Sequence, residues 1–236
     1  MPNDHFEFKQ FKVIQSACSQ KVSTDACLFG AWVALHGGAR QGVLDVGTGT
    51  GLLMLMLAQK VNATIDGIEI AEDCAKQAKE NIGASSWSNR LSVINADART
   101  HHFEKKYDIV ISNPPFYENQ LRSPDPARNL AWHSHELNLA ELTALSSTLL
   151  SADGIFCILI PYSRKEEFLD LASNHDYHAE QILTVKHTRN HPASRCMLIL
   201  SKHAGTVVEE ILEIRNEDGS YSDPFIELLR DYYLFL

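Results

Sequence analysis

Short apolar runs recur along this 236-residue chain, separated by stretches of helical length and composition. Residues 42–46, 64–70, 91–95, 107–112 and 154–160 have strand length and carry many β-branched side chains. Between them, residues 52–60, 71–81, 137–150 and 164–173 have helical spacing. This alternation predicts a parallel sheet with helices on both faces. Residues 179–186 and 196–202 read as two more strands, and the link between them is too short for a crossover helix, so they pair antiparallel. Residues 207–214 are apolar enough for another strand, and 223–236 read as a closing helix with an aromatic end. The first residues differ. Positions 6–14 alternate apolar and polar, which suits a short hairpin. Positions 26–35 read as a helix capped by Ser23 or Thr24 and ended by Gly37-Gly38. The expectation is one α/β domain over 1–236, with an extension over 1–40 built onto a core over 41–236.

Composition narrows this picture. Hydrophobic residues make up 44% of the chain, enough for a real core, yet no apolar run approaches the roughly 18–20 residues of a membrane span. The start, Met1-Pro2-Asn3-Asp4-His5, lacks the basic and apolar parts of a signal peptide, and a cytosolic protein is expected. Five widely spaced cysteines form no CxxC pair, which argues for buried free thiols rather than a disulfide framework or a zinc site. His133 and His135 have no cysteine or carboxylate partner at ligand spacing, and no metal is expected.

The formal net charge of −9 argues against uniform affinity for nucleic acid. The charge is uneven, however. No acidic residue lies between Glu180 and Glu209, an interval that carries Lys186, Arg189, Arg195 and Lys202 with three histidines. Such an interval is either a solvated loop or a local phosphate-binding face, with Lys186 and Arg189 as its candidate contacts.

Candidate chemistry concentrates at strand ends. The apolar run 109–111 leads through Ser112 into Asn113-Pro114-Pro115-Phe116. The prolines cannot continue a buried strand, so Asn113 belongs just past its carboxyl end, where open α/β sheets bind ligands. Each proline also fixes its own φ and restricts the residue before it. Taken alone, this is either a stiff strand exit or a device that aims Asn113 and Phe116. After the first core strand, Asp45 leads into Gly47-Thr48-Gly49-Thr50-Gly51. Glycines there let backbone approach a bound nucleoside. The G-x-G-x-G spacing departs from the dinucleotide fingerprint G-x-G-x-x-G. It resembles motif I of class I S-adenosylmethionine-dependent methyltransferases. Glu69 ends the second core strand, where a carboxylate accepts ribose hydroxyls. Asp97 follows the third, placed to accept from the adenine amine of such a cofactor.

With Asn113-Pro114-Pro115-Phe116 added, the chain resembles the amino-methyltransferases whose motif IV reads [DNS]-PP-[YFW]. It resembles most closely the bacterial tRNA(Val) adenine-N6 methyltransferase family. The resemblance rests further on Phe8-Lys9-Gln10-Phe11, Lys21-Val22-Ser23-Thr24-Asp25, Gly30-Ala31-Trp32, Asn81, Trp87, and a tail with Tyr221-Ser222 and Tyr233-Leu234-Phe235. Phe116 stands where tyrosine is common.

The resemblance implies a Rossmann-like, mostly parallel seven-stranded sheet with an antiparallel end strand. It implies S-adenosylmethionine as cofactor and tRNA, a valine isoacceptor, as partner. It implies that Asn113 and the Pro114 carbonyl hold the target amine, and that Pro115 and Phe116 meet the base. It also places Lys21, Thr24 and Asp25 near the cofactor's methionine end, where the alternative is a plain helix cap. The same motifs would serve a guanine-N2 or protein-glutamine methyltransferase, or a non-catalytic cofactor- or RNA-binding module.

Overall fold

The computed structural model describes residues 4–115 and 137–236. Its central sheet forms from the apolar runs: β3 (Gly42–Val46), β4 (Thr64–Glu69), β5 (Leu91–Asn95), β6 (Tyr107–Ser112), β7 (Leu150–Pro161), β8 (His178–Lys186), β9 (Ala193–Ser201) and β10 (Val208–Glu213). Their spatial order is β10-β8-β9-β7-β6-β3-β4-β5. From β3 the chain first builds toward β5 and then crosses back to lay β6 on the other side of β3. The strand order therefore reverses between β3 and β6, and the crevice at their carboxyl ends is the usual ligand position in such sheets.

The sheet differs from the expected seven strands with an antiparallel strand at the end. It has eight strands among the described residues, and the reversed strand, β9, lies inside it, antiparallel to both β7 and β8. Because β9 reverses, β8 runs parallel to β7 again and leaves an open edge. Val208–Glu213 pairs parallel to that edge, although Leu212 is its one buried side chain. β7 also starts earlier than expected. Asp153-Gly154 is part of a bulge opposite Tyr107 and Ile109 rather than a separate turn. A Cβ at Gly154 would stand 3.0 Å from the Tyr107 carbonyl, a close approach that glycine allows.

Helices α1 (Thr24–His36), α2 (Leu52–Lys60), α3 (Glu72–Gly83) and α6 (Asp223–Leu229) contribute to the core on one face, and α4 (Leu139–Leu149) and α5 (Lys165–Ser173) to that on the other. α1 and α2 show little amphipathic pattern because both are buried nearly all round, from Ala26 to Ala34 and from Leu52 to Ala58. Ser23 caps α1 by accepting from the Ala26 amide at 3.2 Å, so Thr24 is its first helical residue. α6 is shorter than the expected 223–236. The chain turns inward after it to bury Tyr232, whose hydroxyl donates to the Met56 carbonyl at 3.1 Å. Tyr232 is thus core packing and Tyr233 packs partly against the core, whereas Leu234 and Phe235 are exposed.

The amino-terminal segment forms an antiparallel hairpin, β1 (His5–Glu7) with β2 (Lys12–Ile14). The buried Asn81 side chain on α3 holds it. Asn81 Oδ1 accepts from the Ile14 amide at 2.9 Å, and Nδ2 donates to the carbonyls of Ile14 at 2.8 Å and Thr50 at 2.9 Å. One carboxamide thus ties the hairpin, α3 and the glycine turn together. All five cysteines are free thiols, and four of them are buried. Among the described residues no helix is long and apolar enough to cross a membrane, and no cluster of three His, Cys, Asp or Glu is placed to hold a metal.

Candidate active site

The glycine turn is held from below and from the side. The Gly47 and Thr48 amides donate to the Ile68 carbonyl at 2.9 and 3.2 Å, which seats the turn on β4. Gly67 permits that seat, because a Cβ there would lie 2.5 Å from Met54 Sδ and 2.9 Å from Thr48 Oγ1. Gly47, Gly49 and Gly51 all take positive φ, at 76°, 55° and 81°. A Cβ on Gly47 or Gly49 would meet no protein atom within 4 Å, so these two line an open cradle. Gly51 instead faces Ala78 of α3 and starts α2. Asp45 lies beneath the turn, 1% exposed, and accepts from the Thr48 hydroxyl at 2.6 Å. Its other oxygen, Oδ1, is buried without a hydrogen-bond partner in the structure. Burial pushes the Asp45 carboxyl up to about 7; the Thr48 hydrogen bond opposes this and the nearby Glu69 charge adds to it.

One cavity runs along this crevice. It is lined by the turn at Gly47 and Gly49, by Ile68 to Ala71, by Ala96 to Ala98, and by Ser112 to Pro115. Glu69 Oε2 accepts from the Gly49 amide and Oε1 from the Ala71 amide, each at 2.9 Å. Its carboxylate is therefore fixed in direction while keeping lone pairs for a diol. Asp97 is bracketed by Arg99, whose guanidinium Nη2 lies 2.7 Å from Oδ2 and whose Nε lies 3.0 Å from both oxygens. Ser112 Oγ donates to the Val46 carbonyl at 2.7 Å, locking the end of β6 to the end of β3. Asn113 and Pro114 follow this clamp and are half-buried at the cavity wall, and Pro115 is exposed.

Of the residues singled out in the sequence, Gly47, Gly49, Glu69, Asp97, Asn113, Pro114 and Pro115 therefore meet at one cavity. Others stand apart from it. Asp45 and Gly51 shape the turn without lining the cavity. Lys21 Nζ donates to the Gln15 and Cys18 carbonyls, so it braces a loop rather than facing the crevice. Thr24 begins α1 away from the cavity, and Asp25 pairs with Arg195 at 3.1 Å. Lys186 ends β8 and Arg189 lies on the β8–β9 connection, both outside the cavity. Phe116, His133, His135 and the proline-containing loop 117–136 lie outside the described residues. The sequence reading missed Cys18, Ser19 and Gln20, which line the cavity from the amino-terminal side, and Arg99 and Ser112, which orient its walls. The position of Lys21 three residues beyond Cys18 is a signal for the loop only once Lys21 is known to brace it.

Residues 31–138 match the family described as Methyltransferase small domain. The chain is also 38% identical to a tRNA1(Val) (adenine(37)-N6)-methyltransferase of Bacteroides fragilis, over 99% of each chain. This chain belongs to the tRNA1(Val) (adenine(37)-N6)-methyltransferase family. Solved structures agree on the fold. A predicted O-methyltransferase of Agrobacterium tumefaciens superposes with a TM-score of 0.69 at 14% identity, covering 87% of this chain and 95% of that one. A S-adenosylmethionine-dependent methyltransferase of Thiobacillus denitrificans, solved with S-adenosyl-L-homocysteine, superposes at 0.50 with 18% identity, over 68% and 66%. Membership of this family makes the chain a Rossmann-like, S-adenosylmethionine-dependent methyltransferase. The crevice suits that cofactor on its own terms. Its glycine cradle is open at two positive-φ positions, a fixed carboxylate stands at the next strand end, and apolar Ile68 and Ile70 line the wall. The amino-terminal block and the tail meet in the fold: Lys9 donates its amide to the Tyr232 carbonyl at 2.8 Å, and Phe8 bridges to Tyr233.

Proposed function

We propose that this chain transfers a methyl group to the exocyclic N6 of the adenine beside the anticodon of valine tRNA. The observation that carries the reading is the placing of Asn113 and Pro114 on the same cavity as Gly47, Gly49 and Glu69, at the point where the strand order reverses. When bound, S-adenosylmethionine supplies a methyl group on positively charged sulfur, open to attack by a nitrogen lone pair. The protein's task is to make the adenine amine a better nucleophile. That lone pair is delocalised into the ring. The side-chain oxygen of Asn113 and the main-chain carbonyl of Pro114 accept the two N–H bonds and favour a pyramidal nitrogen. The prolines and the Ser112 clamp keep both acceptors aimed, so little reorganisation is left for the moment of reaction. No strong base is needed, since a methylated, positively charged amine sheds its proton readily.

Glu69 is the acceptor for the cofactor's ribose, and Asp97, with Arg99 fixing its orientation, the acceptor for its adenine amine. Gly47 and Gly49 give the backbone close approach, and Asp45 and Gly51 maintain the turn. Phe116, by the family resemblance, stacks on the target base. A loop adenine reaches such a pocket cheaply because it needs only to be splayed from a single strand. Lys186 and Arg189 then take the phosphates of the same RNA. The chain works as one domain, 41–236 with the extension over 1–40, as a cytosolic monomer.

The test is transfer of labelled methyl from S-adenosylmethionine to total tRNA that lacks the modification, followed by nucleoside analysis. N6-methyladenosine in valine tRNA is the expected product. N2-methylguanosine, methylated protein glutamine, or no transfer would each replace this reading with a rival.

A further inference from the structure

The acid-free interval between Glu180 and Glu209 does not act as one surface, because the sheet divides it. β8 and β9 run antiparallel, with Val185 opposite Arg195 and Lys186 opposite Ala193, while His178 lies opposite Ser201. Lys186, His187, Arg189, His191 and Arg195 therefore gather at one edge of the sheet. Lys202 and His203 lie at the other, where Lys202 donates to Ser147 Oγ at 2.7 Å and His203 meets Asp153 at 3.0 Å. The first edge is the one that bears Asn113. β6, β7 and β8 run in the same direction, so their carboxyl ends share it.

β7 lies between Asn113 and this basic hairpin. Ser112, the last residue of β6, is opposite Ile158, and β7 continues to Pro161, which is opposite Arg195. Tyr162 follows. It stands about 10 Å beyond the level of Asn113 by strand rise, and about one strand spacing, ~4.8 Å, to its side. It is 40% exposed and does not line the cofactor cavity. A single exposed aromatic is ordinary on a protein surface. This one lies at the same edge of the sheet as Asn113, directly after the strand between Asn113 and the hairpin that carries Lys186 and Arg189.

We propose that Tyr162 is a stacking platform for the nucleotide next to the target adenine, and that the RNA strand passes from Asn113 over Tyr162 toward Lys186 and Arg189. The proposal rests on the RNA reading above and adds to it a path and a residue. When the target adenine leaves the loop stack for the cavity, its neighbour loses one stacking face. An aromatic ring at that edge replaces the lost face whatever the base, and the hairpin cations take the phosphates that follow. Arg195, held by Asp25 at 3.1 Å, anchors the start of α1 to β9 beside this path.

The experiment uses the full chain and an unmodified anticodon stem-loop RNA. 2-Aminopurine replaces the nucleotide on one side of the target adenine, then on the other. Tyr162→Ala is expected to weaken RNA binding and raise the KM for RNA by about 5- to 150-fold, the range of one base–aromatic stack. Turnover at saturating RNA and affinity for S-adenosyl-L-homocysteine stay near wild type. One of the two 2-aminopurine positions loses its quenching. Tyr162→Phe keeps binding, quenching and the wild-type melting temperature, and a thermal melt checks that Tyr162→Ala is folded at the assay temperature. Wild-type affinity for Tyr162→Ala, or an equal loss in Tyr162→Phe, would overturn the proposal while leaving the methyl-transfer reading intact. A wild-type chain that neither binds nor methylates the RNA would overturn both.

Discussion

Replacing Asp45 by asparagine turns a buried acid into a measurable pH dependence. Asp45 is 1% exposed, and burial lifts its carboxyl from the ordinary 3.8 to about 7, with the Thr48 hydroxyl opposing the rise and the Glu69 charge adding to it. Between those two values the folded chain holds a proton that the unfolded chain has released. Stability contributed by the neutral acid is therefore full below about pH 4 and falls as pH rises toward 7, after which the curve is flat again. The window spans about three pH units, and at 1.36 kcal/mol per unit the loss is at most about 4 kcal/mol. Relaxation around the ionised group brings the true figure lower. Asp45→Asn removes the titration but keeps an acceptor for the Thr48 hydroxyl. Urea unfolding of both proteins across the window isolates the effect, because every other titrating group is common to the two. The stability of Asp45→Asn relative to wild type is expected to rise by about 2–4 kcal/mol from the acid to the alkaline end. A difference that stays flat within about 1 kcal/mol would refute the argument that this carboxyl is held neutral by burial.

Asn113→Ala is expected to lower kcat by about 10²- to 10³-fold, the cost of removing one aimed acceptor, while S-adenosyl-L-homocysteine affinity stays within about threefold; near-normal turnover would remove Asn113 from the chemistry. Asn81→Ala deletes three hydrogen bonds to Ile14 and Thr50. It is expected to cost about 2–3 kcal/mol and lower the melting temperature by about 5–10 °C, and a shift below about 2 °C would show that the hairpin is held by other contacts. Reversing charge at Lys186 and Arg189 together is expected to weaken RNA binding and to flatten its salt dependence by about one to two units of log–log slope; an unchanged slope would remove that loop from the RNA path.

Much of the site was legible because it is made of strand ends. A strand that stops at Ser112 and is followed by two prolines has few places to be, and the same holds for an acid at the end of Thr64–Glu69. The amino-terminal block was read less well. Lys21 looked like a cofactor contact, yet its ammonium braces the loop through the Gln15 and Cys18 carbonyls, and Cys18, Ser19 and Gln20 reach the cavity in its place. Nothing in residue type separates a lysine that touches a ligand from one that holds the loop touching it. Arg99 was equally silent. Its two-residue spacing from Asp97 matters only because the chain turns there, with the Arg99 amide on Asp97 Oδ1 at 2.9 Å.

By itself the sequence determined the element order, the glycine turn, the acids after it and the asparagine after the fourth core strand, because each depends on local backbone chemistry and on periodicity. The tertiary structure alone decided which of these share a cavity, that β9 is the reversed strand within an eight-stranded sheet, and that the basic interval splits between two edges. Those are matters of strand order and register. They are set by the packing of distant segments against one another, and no stretch of the chain carries them alone.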